Sequence, residues 1–324
     1  MLDERKIRKG KAIGLPYQGS KKKISKKIVE IIKQNFGTDK PIYDIFGGGG
    51  AITAECLING LKVHYNDLDH AITDMFQKVV SEDRDYLKTL IVSRDEFFKI
   101  REKENKTIDD ELKLLINSFG NNKKGYLYSE DISDLKYNLA AEIVKKHDVF
   151  SGYRKTETYL KALQDFKNQS YQKTRLQQLE QLQQLQQLER LQQLQQLERL
   201  QQLERLQQLQ QLQQLQQLER LQQLPHIEPT NLDYTKFSEV KNAILYLDPP
   251  YENATLGGYS ISEFDSQLFY DWAYEMSKNN TVLISSYEIS DDRFECVYEF
   301  KKARSTLAST SVGERTEKLF MVKI

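Results

Sequence analysis

Cysteine is nearly absent. Cys56 and Cys296 are the two in 324 residues, far apart and in no metal-type spacing. A disulfide framework and a cysteine-built metal centre are thereby excluded, and a reducing, cytoplasmic setting is expected. Histidine is sparse too: His64, His70, His147 and His226 are scattered, so no metal site is expected. No apolar run is long enough to span a bilayer. The first residues are charged and lack the apolar core of a signal peptide, so neither membrane nor secretion is expected. The chain also lacks net charge, with 47 Lys and Arg against 47 Asp and Glu. A globally basic nucleic-acid binder is excluded, but a local patch is not. Lys21, Lys22, Lys23, Lys26 and Lys27 crowd the lysine-rich first forty residues. Such a run is either a solvated helix face or a holder of phosphates.

What the chain does have centres on Leu245–Tyr251, LYLDPPY. Ala243 to Leu247 favour a buried strand, which ends in a carboxylate, two prolines and an aromatic ring. Asp248 then sits where a parallel strand leaves its sheet, the usual ligand position of open α/β folds. Pro249 and Pro250 stiffen the turn and donate no N–H, so their carbonyls stay free to accept. An exocyclic amine on a base is a poor nucleophile because its lone pair is delocalised. Asp248 and the Pro249 carbonyl accepting its two N–H bonds would pull the nitrogen toward tetrahedral geometry, with Tyr251 stacking on a base removed from its duplex. The plainer alternative is a strand followed by a Pro–Pro turn, with Asp248 as a cap.

The N-terminal third supplies a second site. Residues 11–21, KAIGLPYQGSK, read as a loop. Ile24, Ile28, Ile31 and Ile32 predict an amphipathic helix over 22–35, stopped at Gly37. A strand over Pro41–Phe46 runs into Gly47–Gly50 and then a helix, a turn that lets a ligand approach backbone N–H groups. A second strand over 62–66 is followed by Asp67, at about the separation expected of a carboxylate that binds ribose hydroxyls. Asp69 competes for that role, and either could cap a helix over 71–80.

The middle is different in kind. Residues 117–129, NSFGNNKKGYLYS, are polar, aromatic and basic together. Asn121, Asn122, Lys123 and Lys124 are candidate DNA contacts, or simply a surface loop. Aromatics over 126–171 are expected to pack a satellite core. From Leu176 to Leu224 a leucine occupies every third position, in LQQ and LER units. Helix-forming residues predict α-helix ended by Pro225, about 75 Å long as one rod. A three-residue step turns the leucines back about 60° each time, so they spiral around all faces and form no heptad seam. The repeat is either an insert tolerated on the surface, produced by slippage, or an arm that binds a partner or spaces the recognition region. Beyond the DPPY stretch, 253–262 suits a loop closing over substrate. A helix over 264–277 and strands over 281–286, 294–301 and 317–323 complete the chain, with Arg304 and Arg315 in the last loop as phosphate contacts or solvated cations.

These pieces in this order, GLPYQGSK, YDIFGGGGAI, HYNDLD, LYLDPPY and TVLISS, resemble the Dam-like DNA adenine methyltransferases over about 1–80 and 240–324. The resemblance implies an α/β, Rossmann-like fold that binds S-adenosylmethionine and methylates the exocyclic amine of adenine in double-stranded DNA. It further implies that Tyr17, Lys21, Asp44, Phe46, Gly48, Gly50, Asp67 and Asp248 hold the cofactor, and that Asp248, Pro249, Pro250 and Tyr251 are catalytic. Ile45 stands where the family has proline. The expected division is a catalytic domain of 1–90 with 225–324, an inserted target-recognition region at 91–175 and the helical repeat at 176–224. A cognate restriction endonuclease and a protein partner for the repeat are possible companions. The rival readings are a non-catalytic DNA- or protein-binding scaffold on this fold, and a methyltransferase acting on RNA adenine or on cytosine.

Overall fold

A computed structural model describes residues 2–17, 19–148, 150, 152–165, 209–251, 264–300 and 316–323. The expectations for the 253–262 loop, for Arg304 and Arg315, and for the repeat before Leu209 lie outside these residues. Short β-favouring runs form β1 (Ile42–Asp44), β2 (Val63–Tyr65), β3 (Ile244–Leu247), β4 (Thr281–Ser286), β5 (Phe294–Glu299) and β6 (Lys318–Val322). They make one sheet in the order β2-β1-β3-β4-β6-β5, parallel from β2 to β4 and antiparallel through β6 and β5. The chain leaves β1 for β2 on one side and later enters β3 on the other. The β1–β3 pair is therefore the switch point, where the carboxyl ends of the strands open a crevice.

Alternation along the strands sends side chains to two cores. Ile42, Ile244, Tyr246 and Leu283 face α1 (Ser25–Phe36) and α2 (Ala51–Ile58). Leu245, Leu247, Val282 and Ile284 face the helix Ser266–Ser277. The isoleucines of the 22–35 expectation lie on the inner face of α1, which starts after a 3₁₀ turn at Lys21–Lys23 and is capped by Gly37.

A helical body stands beside β2. It comprises α3 (His70–Ser81), α4 (Arg84–Lys88), α5 (Arg94–Arg101), α6 (Ile108–Asn117), α7 (Glu130–Lys146) and α8 (Gln210–Leu221). The helix Ser266–Ser277 is then α9. Phe76 and Val79 of α3, Leu112 and Leu115 of α6, and Ala140 and Ile143 of α7 share one core that reaches the sheet through Tyr65. Val92, Phe97, Leu114, Tyr126 and Tyr128 form the expected satellite core, while Tyr153 and Tyr159 join the main one.

The end of the repeat departs from the expectation of a surface insert. Leu209, Leu212, Leu215, Leu218 and Leu221 are all 0% exposed. Five leucines at a step of three cover roughly 240° of a helix's circumference. A helix apolar nearly all round is stable only when surrounded. Here α3, α4 and α6 pack against it. The polar positions are used as well. Gln211 is buried with Nε2 within 2.6 Å of Asn117 Oδ1 and 2.9 Å of the Val92 carbonyl, and Glu219 pairs with Arg84. Among the described residues no helix is long and apolar enough to cross a membrane.

Candidate active site

At the carboxyl ends of β1 and β3 lies a cavity of about 680 Å³. One wall is the glycine turn between β1 and α2. Gly50 sits at φ 68°, and a Cβ there would lie 2.4 Å from the Phe76 ring, so no other residue fits without displacing that ring. A Cβ at Gly47 would meet Tyr65 at 2.5 Å. The turn is thus pressed onto the helical body and presents its backbone to the cavity. Tyr17 lies over Gly48 and Gly49 from the other side.

Two carboxylates, Asp44 buried and Asp67 half-buried, brace this wall. Asp44 ends β1, and its Oδ2 accepts from Thr53 N at 3.0 Å and Thr53 Oγ1 at 2.6 Å. Asp44 Oδ1 is buried with no hydrogen-bond partner among the described residues. Burial pushes the Asp44 carboxyl up to about 7, against the Thr53 hydrogen bonds and with help from Asp248 and Asp67. Asp67 follows β2; its Oδ2 accepts from Gly48 N at 2.7 Å and its Oδ1 from Asp69 N at 2.9 Å. Burial raises Asp67 to about 6. Of the two candidates at this strand end, Asp69 caps α3 by accepting from Ala71 N.

The opposite wall is the DPPY corner. Asp248, Pro250 and Tyr246 line the cavity, whereas Pro249 is buried behind it. The Asp248 carboxylate receives Lys21 Nζ at 2.7 Å, Ser285 Oγ at 3.0 Å and Tyr251 Oη at 3.1 Å. Lys21 Nζ also donates to Tyr251 Oη at 2.6 Å and lies 3.6 Å from Glu317. Tyr251 Oη in turn contacts Glu317, and its ring meets Tyr287 edge-on at 4.8 Å. Burial and Asp248 hold the Tyr251 phenol well above its ordinary range. Glu317 is raised by burial, in opposition to Lys21.

An aromatic group closes one end. Phe46, Tyr234 and Phe264 all line the cavity, with ring centroids 6.0 to 6.2 Å apart. Sequence reading missed Tyr234, Ser285 and Glu317. Tyr234 arrives because residues 230–232 run beside the end of β2, through a bridge from Asn66 to Thr230 and Asn231 hydrogen bonds to Asp67 and Thr73. Glu317 arrives through the antiparallel register that sets Lys318 against Ser286. Neither placement leaves a local spacing in the sequence.

Tyr17, Lys21, Asp44, Phe46, Gly48, Asp67, Asp248 and Pro250 all border this one cavity. Gly50 shapes the turn from beneath, and Tyr251 braces Asp248. The loop residues Asn121, Asn122, Lys123 and Lys124 do not line it. Asn121 donates to the Leu115 carbonyl at 2.9 Å and Lys123 pairs with Glu111 at 2.6 Å, so both hold their own loop in place; Asn122 and Lys124 are exposed.

A family model described as D12 class N6 adenine-specific DNA methyltransferase matches residues 17–312. No curated protein matches the chain.

Proposed function

Since the chain belongs to the D12 class N6 adenine-specific DNA methyltransferases, which move the methyl group of S-adenosylmethionine to adenine in DNA, we propose that the cavity between the glycine turn and Asp248 is where transfer takes place. The observation that carries this is the convergence of the turn and the DPPY corner on one space. Bound S-adenosylmethionine supplies an electrophilic methyl on a sulfonium. The residues present suit it. Asp67, which lines the cavity and accepts one backbone N–H on each oxygen, keeps lone pairs for ribose hydroxyls, Asp44 Oδ1 is a buried acceptor with no partner among the described residues, and Phe46, Tyr234 and Tyr17 would offer ring faces to a purine.

At the other wall, Asp248 accepts an N–H bond of the target amine, localising its lone pair and aiming it into the cavity, while Pro249, which does not line the cavity, stiffens the turn from behind. Asp248 orients and accepts; it is too weak a base to deprotonate a neutral amine outright. As the amine's lone pair takes up the methyl, the carbon–sulfur electron pair would stay with sulfur, and the nitrogen, now acidic, would give its proton to Asp248 or to solvent. Pro250 fixes the turn, and Lys21 and Tyr251 hold the carboxylate. No covalent enzyme intermediate is required, so Cys56, buried within α2, and Cys296 take no part.

The helices of 91–165, together with α8, form the proposed target-recognition side, and 1–90 with 225–324 the catalytic side. Asn122 and Lys124, the exposed members of their loop, are the proposed DNA contacts. A restriction endonuclease sharing the target site, and a protein partner for the repeat before Leu209, extend the proposal. The deciding variant is Asp248→Ala, in which methyl transfer is expected to vanish while duplex binding persists. Turnover at the wild-type rate would remove Asp248 from the site. Modification-aware sequencing of DNA from expressing cells reads the target, and with it the sites a companion endonuclease would spare.

A further inference from the structure

A second cleft, of about 670 Å³, lies next to the first. Three consecutive lysines divide between the two. Lys21 turns to Asp248, while Lys22 and Lys23 line the second cleft. Its other cations come from distant parts of the chain: Lys11 from the N-terminal loop, Arg154 and Lys155 from a 3₁₀ turn at Tyr153–Lys155, and Arg220 from α8. Among the described residues no Asp or Glu lines it.

Like charges do not gather in a concavity without cost. Lys22 shows the strain. Burial, and then the neighbouring Arg220, lower its ammonium to about 8, and its Nζ rests on the neutral Gln217 Oε1 at 2.8 Å. A surface lysine run would spread into solvent. Here four separate segments, one of them the buried end of the repeat, bring six cations around one hollow. A bound polyanion relieves that repulsion. Glutamines of α8 at 213, 216 and 217 add amides to the lining, which can bond phosphate oxygens without reading sequence.

We propose that this cleft carries the phosphate backbone of the DNA strand whose adenine enters the cavity, so that an LER unit of the repeat, through Arg220, is part of the DNA-binding surface. The placement of the flanking phosphates rests on the transfer site assigned above. Lys21 at the carboxylate and Lys22 in the cleft are neighbours in the chain, so a strand delivering a base to one lays its backbone along the other.

The test is duplex binding by fluorescence anisotropy with the full chain, titrated with salt, on two duplexes of unrelated sequence. Arg220→Gln, Arg154→Gln and Lys155→Gln alter three cations on two elements, and Lys241→Gln is the charge-matched control, exposed just before the amino end of the central strand β3, whose carboxyl end faces the cavity. Each cleft variant is expected to reduce the slope of log affinity against log salt by about 0.9, equally on both duplexes. Between about 50 and 200 mM salt that shrinks the loss of affinity about threefold per cation removed. S-adenosylmethionine affinity stays at the wild-type value, and Lys241→Gln keeps the wild-type slope. Cleft variants whose slopes match Lys241→Gln would overturn the proposal, as would a loss confined to one duplex sequence. Binding is read without turnover, so a wrong catalytic assignment shows in Asp248→Ala and leaves this comparison intact.

Discussion

Three donors crowd the Asp248 carboxylate: Lys21, Ser285 and Tyr251. An ionised carboxylate offers about four acceptor positions, so about one is left for an incoming N–H. Tyr251 has a single hydroxyl proton and two carboxylates within reach, Asp248 and Glu317. Glu317 therefore governs which of them that proton serves. In Glu317→Gln the charge that shares Lys21 is lost. Single-turnover rates are expected to drop about tenfold, the order of one disrupted charge-assisted hydrogen bond, with cofactor affinity unchanged. A rate within twofold of wild type would make Glu317 a bystander. Asp67 gives a pH signature. Its carboxyl is raised to about 6, and ribose hydroxyls are best accepted by the ionised form. Cofactor binding then releases a proton, so affinity measured by calorimetry rises with pH through about 6. In Asp67→Asn that step disappears, leaving the one from Asp44 near 7. Asp44, Asp67 and Asp248 were legible in the sequence because each ends a strand, and strand ends are where parallel sheets expose their acids. Glu317 was not, because its place depends on a pairing register between residues far apart in the chain.

Among the elements, α8 teaches the most. Over Gln210–Leu221, the part of the repeat that is described as a helix, the leucines lie around most of the circumference. Periodicity says how apolar residues are distributed on a helix and not whether other helices enclose it, so the surface assignment did not follow. With its leucines at 0% exposure, Leu215→Ala should destabilise by about 2–5 kcal/mol in urea melts, as for any core leucine. Gln211→Ala should cost about 1 kcal/mol by removing one hydrogen bond each from Asn117 Oδ1 and the Val92 carbonyl, which keep Val92 N and Tyr126 Oη as donors. A change below about 0.5 kcal/mol in Leu215→Ala would place the helix outside the cooperative core. The glycine turn was legible for the opposite reason. Four consecutive glycines between a strand and a helix announce a close backbone approach. What they approach, Tyr65 and Phe76 beneath and Tyr17 above, required the fold.

For the whole molecule, the pocket acids set how stability varies with pH. Asp44 and Asp67 titrate at about 3.8 unfolded and at about 7 and 6 folded. Between those values the folded chain binds more protons, so their contribution weakens as pH rises from about 4 to 7 and is level above that. Below about 4 the trend reverses as Asp110 and Asp291, both held low by their partners, lose their charges. Thermal melts of the unliganded protein should therefore rise by several °C from pH 8 to 5, with Asp44→Asn flattening the curve. Saturating S-adenosylmethionine is expected to flatten it too. The strand order, and with it the switch point, required the fold, whereas the strands and the acids at their ends could be read in advance. The helical body could not, since its core joins segments on both sides of the repeat. That last feature reaches into heredity. Each unit is a whole number of codons, so alleles that gain or lose units upstream of Leu209 stay in frame and still encode the same buried helix. Such a gene can vary the length of chain between its two halves from one lineage to the next without altering any residue of that helix.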